Sequence, residues 1–238
     1  MAVVHRTTLT PNKLELLGSW LPAQPWYLGT GSKPELTRAG GFRLDDPQGE
    51  VGIEFMAVTD ESGDRSRTYQ VPFSYRGAPL GGADHALIGT AEHGVLGRRW
   101  IYDGTHDPVV VSQLFALILG KAVPQAQSTS NTPEPSVTGY FVAESDRTGP
   151  IERMTVTSGG DATDLVVHTT AVTGSPTRRP RQLTIRVNRV LLPGQDEPSA
   201  GAPEVLGGVT ADWHVPDGTT VRGSFAVVLD TAPDSTAG

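Results

Sequence analysis

Between residues 10 and 120 the apolar positions change period twice, and this double switch constrains the fold more than any other feature of the chain. Leu14, Leu17 and Leu21, together with Trp20, recur at helical spacing, so Pro11 to Leu21 is predicted as a short helix with Pro11 in its first turn and Thr10 as its cap. The pattern then becomes extended: Gly41 to Asp46, Val51 to Thr59, Thr68 to Tyr75, Ala86 to Ala91 and Arg98 to Tyr102 read as strands, with a turn at Asp60-Glu61-Ser62-Gly63-Asp64. Asp107-Pro108 opens a second helix. Asp107 is placed to accept from the free N–H groups of the first turn, and Pro108 stands where its missing donor costs nothing. The predicted class is α+β, a helix, an antiparallel sheet and a helix, with both helices on one face of the sheet.

From Lys121 to Ser136 the composition turns to Pro, Gln, Ser, Thr and Asn without apolar periodicity, as in an exposed linker. Beyond it Ile151 to Thr157, Asp164 to Thr170, Gln182 to Leu192, Val209 to Val215 and Thr219 to Leu229 are strand candidates between Gly and Pro turns. A chain of 238 residues is long enough for two such units. The predicted division is a first domain over 1–120, a linker over 121–136 and a smaller, mostly β unit over 137–238 that ends in a frayed tail from Asp230.

Composition excludes several classes of function. With 26 acidic against 19 basic side chains the net charge is −7, and the densest basic run, Arg178-Arg179-Pro180-Arg181, reads as a solvated loop, so no nucleic-acid partner is expected. The chain has no cysteine, hence no disulfide framework and no thiolate metal site. The longest apolar run, Leu114 to Leu119, is far too short for a bilayer, and Met1 to Thr10 does not read as a secretory signal. The expected location is the cytoplasm, with no membrane partner and no cofactor.

Potential metal ligands are densest at Asp103, His106 and Asp107, which one loop could present to a divalent ion; His85 and His93 flank a strand and would join them only if the sheet brought them close. The capping role of Asp107 is the simpler reading, with no metal expected. Gly29-Thr30-Gly31-Ser32-Lys33-Pro34 lacks phosphate-loop spacing and reads as a turn. Trp213-His214 reads as a strand entering a turn, with sugar stacking on the ring as the alternative. No nucleophile with an adjacent base is recognisable, so no catalytic residue is assigned.

The octet Trp20-Leu21-Pro22-Ala23-Gln24-Pro25-Trp26-Tyr27 resembles the W-L-x-x-Q-x-W-Y opening of the N-terminal cap domain of bacterial maltokinases. Tyr69-Gln70-Val71-Pro72, Ala86 to Gly89 and Tyr102-Asp103 resemble later segments of that cap in the same order, over about half of the chain. The resemblance implies a cystatin-like unit that does not itself transfer phosphate and sits beside a kinase body that phosphorylates maltose or another sugar with ATP. Trp20, Leu21, Gln24, Trp26, Tyr27, Tyr69, Tyr102, Asp103 and Asp107 are then the candidate structural or partner-binding residues, with the aromatic rings as a core seam or, alternatively, as an exposed docking face. The strands around Leu165 and Leu183 weakly resemble a kinase N-lobe, which would set Arg186 near a phosphate-binding position. No counterpart of the catalytic Asp or the metal-binding side chains of a kinase is seen in the sequence. The expected function is a non-catalytic accessory protein that docks on or regulates a sugar kinase or glycan-metabolising enzyme of trehalose and glycogen metabolism; the alternative is a binding module for a sugar or nucleotide.

Overall fold

A computed structural model describes residues 8–29, 33–142, 148–170, 181–194 and 205–230. The arginines Arg178 and Arg179, the centre of the Gly29 to Pro34 turn, the extreme N-terminus and the tail after Asp230 lie outside the described residues. The elements in chain order are β1 (Leu9–Thr10), α1 (Lys13–Trp20), β2 (Leu36–Leu44), β3 (Gly52–Asp60), β4 (Arg67–Arg76), β5 (Leu87–His93), β6 (Gly97–Asp103), α2 (Pro108–Ile118), β7 (Gln125–Ala126), β8 (Thr138–Phe141), β9 (Ile151–Gly159), β10 (Ala162–Thr169), β11 (Arg181–Asn188), β12 (Val190–Leu191), β13 (Val205–His214) and β14 (Thr220–Asp230). The protein is mostly antiparallel sheet with few helices, as the alternating segments require.

Helix α1 starts at Lys13 rather than at the proline. Its cap is Asn12, not Thr10: the Asn12 side chain accepts from the Glu15 N–H at 3.1 Å while Glu15 reaches back to the Asn12 N–H at 2.8 Å, a reciprocal capping box. Helix α2 begins as expected, with Pro108 in the first turn and Asp107 accepting from the Val109 N–H.

The two helices do not share a face. Along β3, Phe55 and Ala57 pack with α2 residues Val110, Val111 and Leu114, whereas Met56 and Val58 pack with Leu16, Leu17 and Trp26 on the α1 side. Because successive strand residues point to opposite faces, α1 and α2 lie on opposite sides of these strands. The expectation of both helices on one face is thus corrected, and the reason lies in β3 itself. Its residues from Ile53 to Asp60 are all buried, so it is covered on both sides.

What covers the α2 side is the C-terminal half of the chain. The core that contains Phe42, Phe55 and Leu114 also contains Leu165, Ile185, Val187, Val209, Trp213, Phe225 and Val228. Strand pairing runs round a ring: β2 with β3, β3 with β4, β4 with β12, then through Arg189 into β11, on to β14 and β13, and from β13 back to β2. The two seams are short. Trp213 opposite Gly40 is the whole β13–β2 register, and Val190 and Leu191 opposite Tyr69 and Thr68 form the β12–β4 register. Gly40 suits the first seam: at φ 153° it adopts a conformation that L side chains rarely take, and a Cβ there would stand only 3.3 Å from Trp213 Cα.

The stretch 121–136 is tied to this ring at several points. β7 pairs with β2, the Gln127 amide donates to Glu54 Oε1 at 3.0 Å, and the Arg43 guanidinium donates to the Ala126 carbonyl at 2.9 Å. Since the strands on either side of that stretch enclose one core, the division at 121–136 is a division of sequence that the packing runs across. We expect a single thermal unfolding transition whose calorimetric and van't Hoff enthalpies agree; two separated transitions would show that 1–120 and 137–238 melt independently.

Candidate functional site

The link that closes the ring carries a side chain rarely found buried. Arg189, between β11 and β12, is wholly buried, and burying a guanidinium requires that its charge and its donors be answered locally. Its Nη2 donates to Asp103 Oδ2 at 2.5 Å and to Thr105 Oγ1 at 2.9 Å, and its Nε donates to Thr163 Oγ1 at 2.8 Å. Its guanidinium carbon lies 4.8 Å from the centroid of the Trp26 ring, whose π face answers part of the charge. Nη1 makes no hydrogen bond. The backbone joins in as well: the Arg189 carbonyl accepts from Gln70 N–H at 2.9 Å, and its N–H donates to the Asp161 carbonyl at 2.7 Å.

Asp103 is prepared for this role by its position at the end of β6. One carboxylate oxygen accepts from Thr105 N–H and Thr105 Oγ1, at 3.1 and 2.8 Å, so the other oxygen is free for the arginine. Trp26 is likewise fixed, its ring 5.8 Å from Trp20 and 6.0 Å from Tyr69, with Leu21 buried in the same cluster. Tyr27 leaves this cluster through its hydroxyl, which donates to Asp60 Oδ2 at 2.7 Å. Burial, and then the carboxylate acceptor, push the Tyr27 phenol up to about 12. Burial alone would raise the Asp60 carboxyl, but donation from Tyr27, Ser62 and Glu35 holds it below the usual carboxylate range. The Tyr69 hydroxyl accepts from Leu28 N–H at 3.1 Å, and the Gln24 amide donates to the Trp20 carbonyl at 3.1 Å.

Residues 20–107 match the maltokinase N-terminal cap domain. None of the curated proteins compared with the chain matches it. Within the cap segment, the residues that carried the resemblance are thus brought together as follows. Trp20, Leu21, Trp26, Tyr27 and Tyr69 form one cluster around the α1 side, and Asp103 reaches it through Arg189. Tyr102 faces away, buried with Ala83 and Ala86, its hydroxyl accepting from Leu80 N–H at 2.9 Å. Asp107 is separate from both groups.

The loop that was open to a metal reading is occupied by arginines instead. Asp107 accepts a two-pronged pair from Arg76, Nε at 2.6 Å and Nη2 at 2.7 Å, in addition to the Val109 N–H. The hydrogen bond to Asp107 raises the Arg76 pKa. With Asp103 held by Arg189, neither carboxylate is left for an ion shared with His106, and no group of three or more His, Asp or Glu residues among those described is placed to hold one. His93 accepts from Val95 and Leu96 N–H groups and lies apart; His85 does approach His106. Asp107→Asn keeps an acceptor for the helix but loses the fork to Arg76, so it is expected to cost about 1–2 kcal/mol and Asp107→Ala about 2–3 kcal/mol, less than a fully buried pair because Arg76 retains contact with water. Urea denaturation of the two variants measures both values.

Trp213-His214 ends β13 just before a turn, as its strand reading expects, and the alternatives for Trp213 and Arg186 find no support. Trp213 is only 1% exposed, packed against Phe225 with ring centroids 6.0 Å apart, and offers no face to a sugar. Arg186 points outward in a two-pronged pair with Asp164 at 2.8 Å. The buried arginine stands just past the end of that strand, at Arg189, and alternation could have found it: Leu183, Ile185 and Val187 face the core, and Arg189 shares their parity.

Proposed function

We propose that the chain is a non-catalytic accessory protein of sugar-kinase metabolism, in which a maltokinase-type cap, clamped onto the C-terminal strands by Arg189, docks on or regulates a sugar kinase or glycan-metabolising enzyme in the cytoplasm. The observation that carries this reading is the match of residues 20–107 to the cap, together with the use of its paired carboxylates, Asp103 and Asp107, in internal arginine bridges rather than in a reactive group. Of the octet's rings Trp26 is buried and Trp20 and Tyr27 are half-buried against it, which favours the core seam over a wholly exposed docking face, so a partner would meet the outer surface of the cap segment. The negative net charge and the lack of a long apolar helix among the described residues agree with this setting.

The test uses a maltokinase from which its own cap has been deleted. Adding the purified chain is expected to change the rate of ADP formation from ATP and maltose and to yield a complex in sedimentation velocity, while the chain alone forms no ADP. Unchanged kinetics with no complex would remove the proposal, and turnover by the purified chain alone would replace it with an enzymatic one.

A second reading has one observation in its favour. At the β2–β13 seam a cleft of about 350 Å³ is lined by Arg38, Gln127, Glu134, Asp212, His214 and Thr220, which offer donors and acceptors of both charges. A small polar ligand, a sugar or a nucleotide, suits it. Calorimetric titration with maltose, trehalose and ATP distinguishes this binding role from the docking role.

A further inference from the structure

The cap segment holds one pair of metal-competent side chains that the arginine bridges leave untouched. His85 stands on a short 3₁₀ turn, Asp84–Ala86, and His106 on another, Gly104–His106, twenty residues downstream. Their rings meet edge to face with centroids 4.7 Å apart, and His85 Nε2 lies 3.1 Å from His106 Nδ1. Both turns are held firmly. The second is fixed by the contacts of Thr105 with Asp103 and Arg189, and the first is anchored through Ala86, buried with Ala83 and Tyr102.

We propose that His85 and His106 form a two-imidazole site for a borderline divalent transition metal such as Zn²⁺. Two nitrogens bound to one zinc ion at about 2.0–2.1 Å lie roughly 3.3–3.4 Å apart in a tetrahedral shell, and about 2.9 Å apart in a square one. The observed 3.1 Å falls between these values, so the two nitrogens already stand at the separation that one shared ion requires. Imidazole is the side-chain ligand suited to Zn²⁺, Ni²⁺ and Cu²⁺, and the absence of thiolate and of a free carboxylate in the pair disfavours Mg²⁺ and Ca²⁺. His85 is exposed, so water completes the shell on the solvent side. Because the ion would join the segment before β5 to the segment before α2, its binding stabilises the folded chain against the unfolded one.

The experiment uses the untagged full chain with ZnCl₂, against the same sample in EDTA. At roughly ten times the dissociation constant the melting temperature is expected to rise by about 3 °C, and calorimetry to report one equivalent of Zn²⁺. His85→Gln removes an exposed side chain without disturbing the core and is expected to abolish both signals, as is His106→Gln; MgCl₂ produces neither. A wild type whose melting temperature ignores ZnCl₂, or a rise that persists in folded His85→Gln, overturns the proposal.

Discussion

Asp103→Ala is expected to lose about 3–5 kcal/mol of stability, because it leaves the Arg189 guanidinium buried and unpaired at the seam that closes the strand ring. Against a total of about 5–15 kcal/mol for a domain, that loss brings the chain close to unfolding at ordinary temperature. The size follows from the surroundings: Arg189 is 0% exposed and its counterion 4%, so the guanidinium depends on that carboxylate rather than on bulk solvent to balance its charge. Thr105 and Thr163 still accept from the guanidinium, but neutral hydroxyls do not balance a charge. The partner substitution separates this cause from a general packing defect. Arg189→Met in the Asp103→Ala background removes the stranded charge while keeping an apolar chain against Trp26, and the double variant should be more stable than Asp103→Ala alone. Urea midpoints with unchanged slope measure both effects. A loss below about 1 kcal/mol in Asp103→Ala would show that the bridge is not what holds the seam.

The order of elements was legible in the sequence because it depends on local pattern. Strands over Val51 to Thr59, Thr68 to Tyr75 and Ile151 to Thr157 coincide closely with β3, β4 and β9, since β-branched and aromatic runs between turn residues specify extended chain with little outside help. The first helix was placed from Pro11, although Asn12 and Glu15 spell out the capping box three residues apart. What alternation could not give is the number of layers. The run from Ile53 to Asp60 reads as one strand whether one face or two are covered, and only the uninterrupted apolar stretch Phe55 to Val58 hints that a second layer must come from elsewhere in the chain.

The candidate site was legible in part for a related reason. Trp26 and Asp103 were singled out by their place in the cap motifs, and both turn out to touch the same arginine. Arg189 itself lies 163 positions after Trp26, outside the matched segment, and a basic residue near a strand end is ordinarily solvated. Its parity with Leu183, Ile185 and Val187 was the available signal. Asp107 illustrates the converse: the helix-capping role was correct, but the pairing with Arg76 across 31 residues has no local signature, so a cap that looked tolerant of Asn proves to carry an ion pair as well.

Trp26→Ala is expected to cost about 3–5 kcal/mol, the range for truncating a large ring in a filled core. The ring is 0% exposed and is surrounded by Trp20, Tyr69, Leu17 and Leu21, which are anchored on α1, the turn after it and β4 and so have little freedom to collapse into the space. A second contribution comes from the lost π face over Arg189, worth about 0.5–2 kcal/mol where the cation is desolvated. Trp26→Phe isolates it: the smaller ring leaves a cavity yet keeps a face for the guanidinium, so its cost should be well under that of Ala. Coupling to Asp103 is the sharper observation. Both side chains answer the charge of Arg189, so once Trp26 is gone the bridge to Asp103 carries more of it, and the double variant Trp26→Ala/Asp103→Ala should depart from the sum of the single losses by more than the roughly 0.5 kcal/mol seen for independent sites. Strict additivity in that cycle would mean that the tryptophan serves the α1 core alone, and that the arginine clamp and the aromatic cluster of the cap are two separate devices that happen to adjoin.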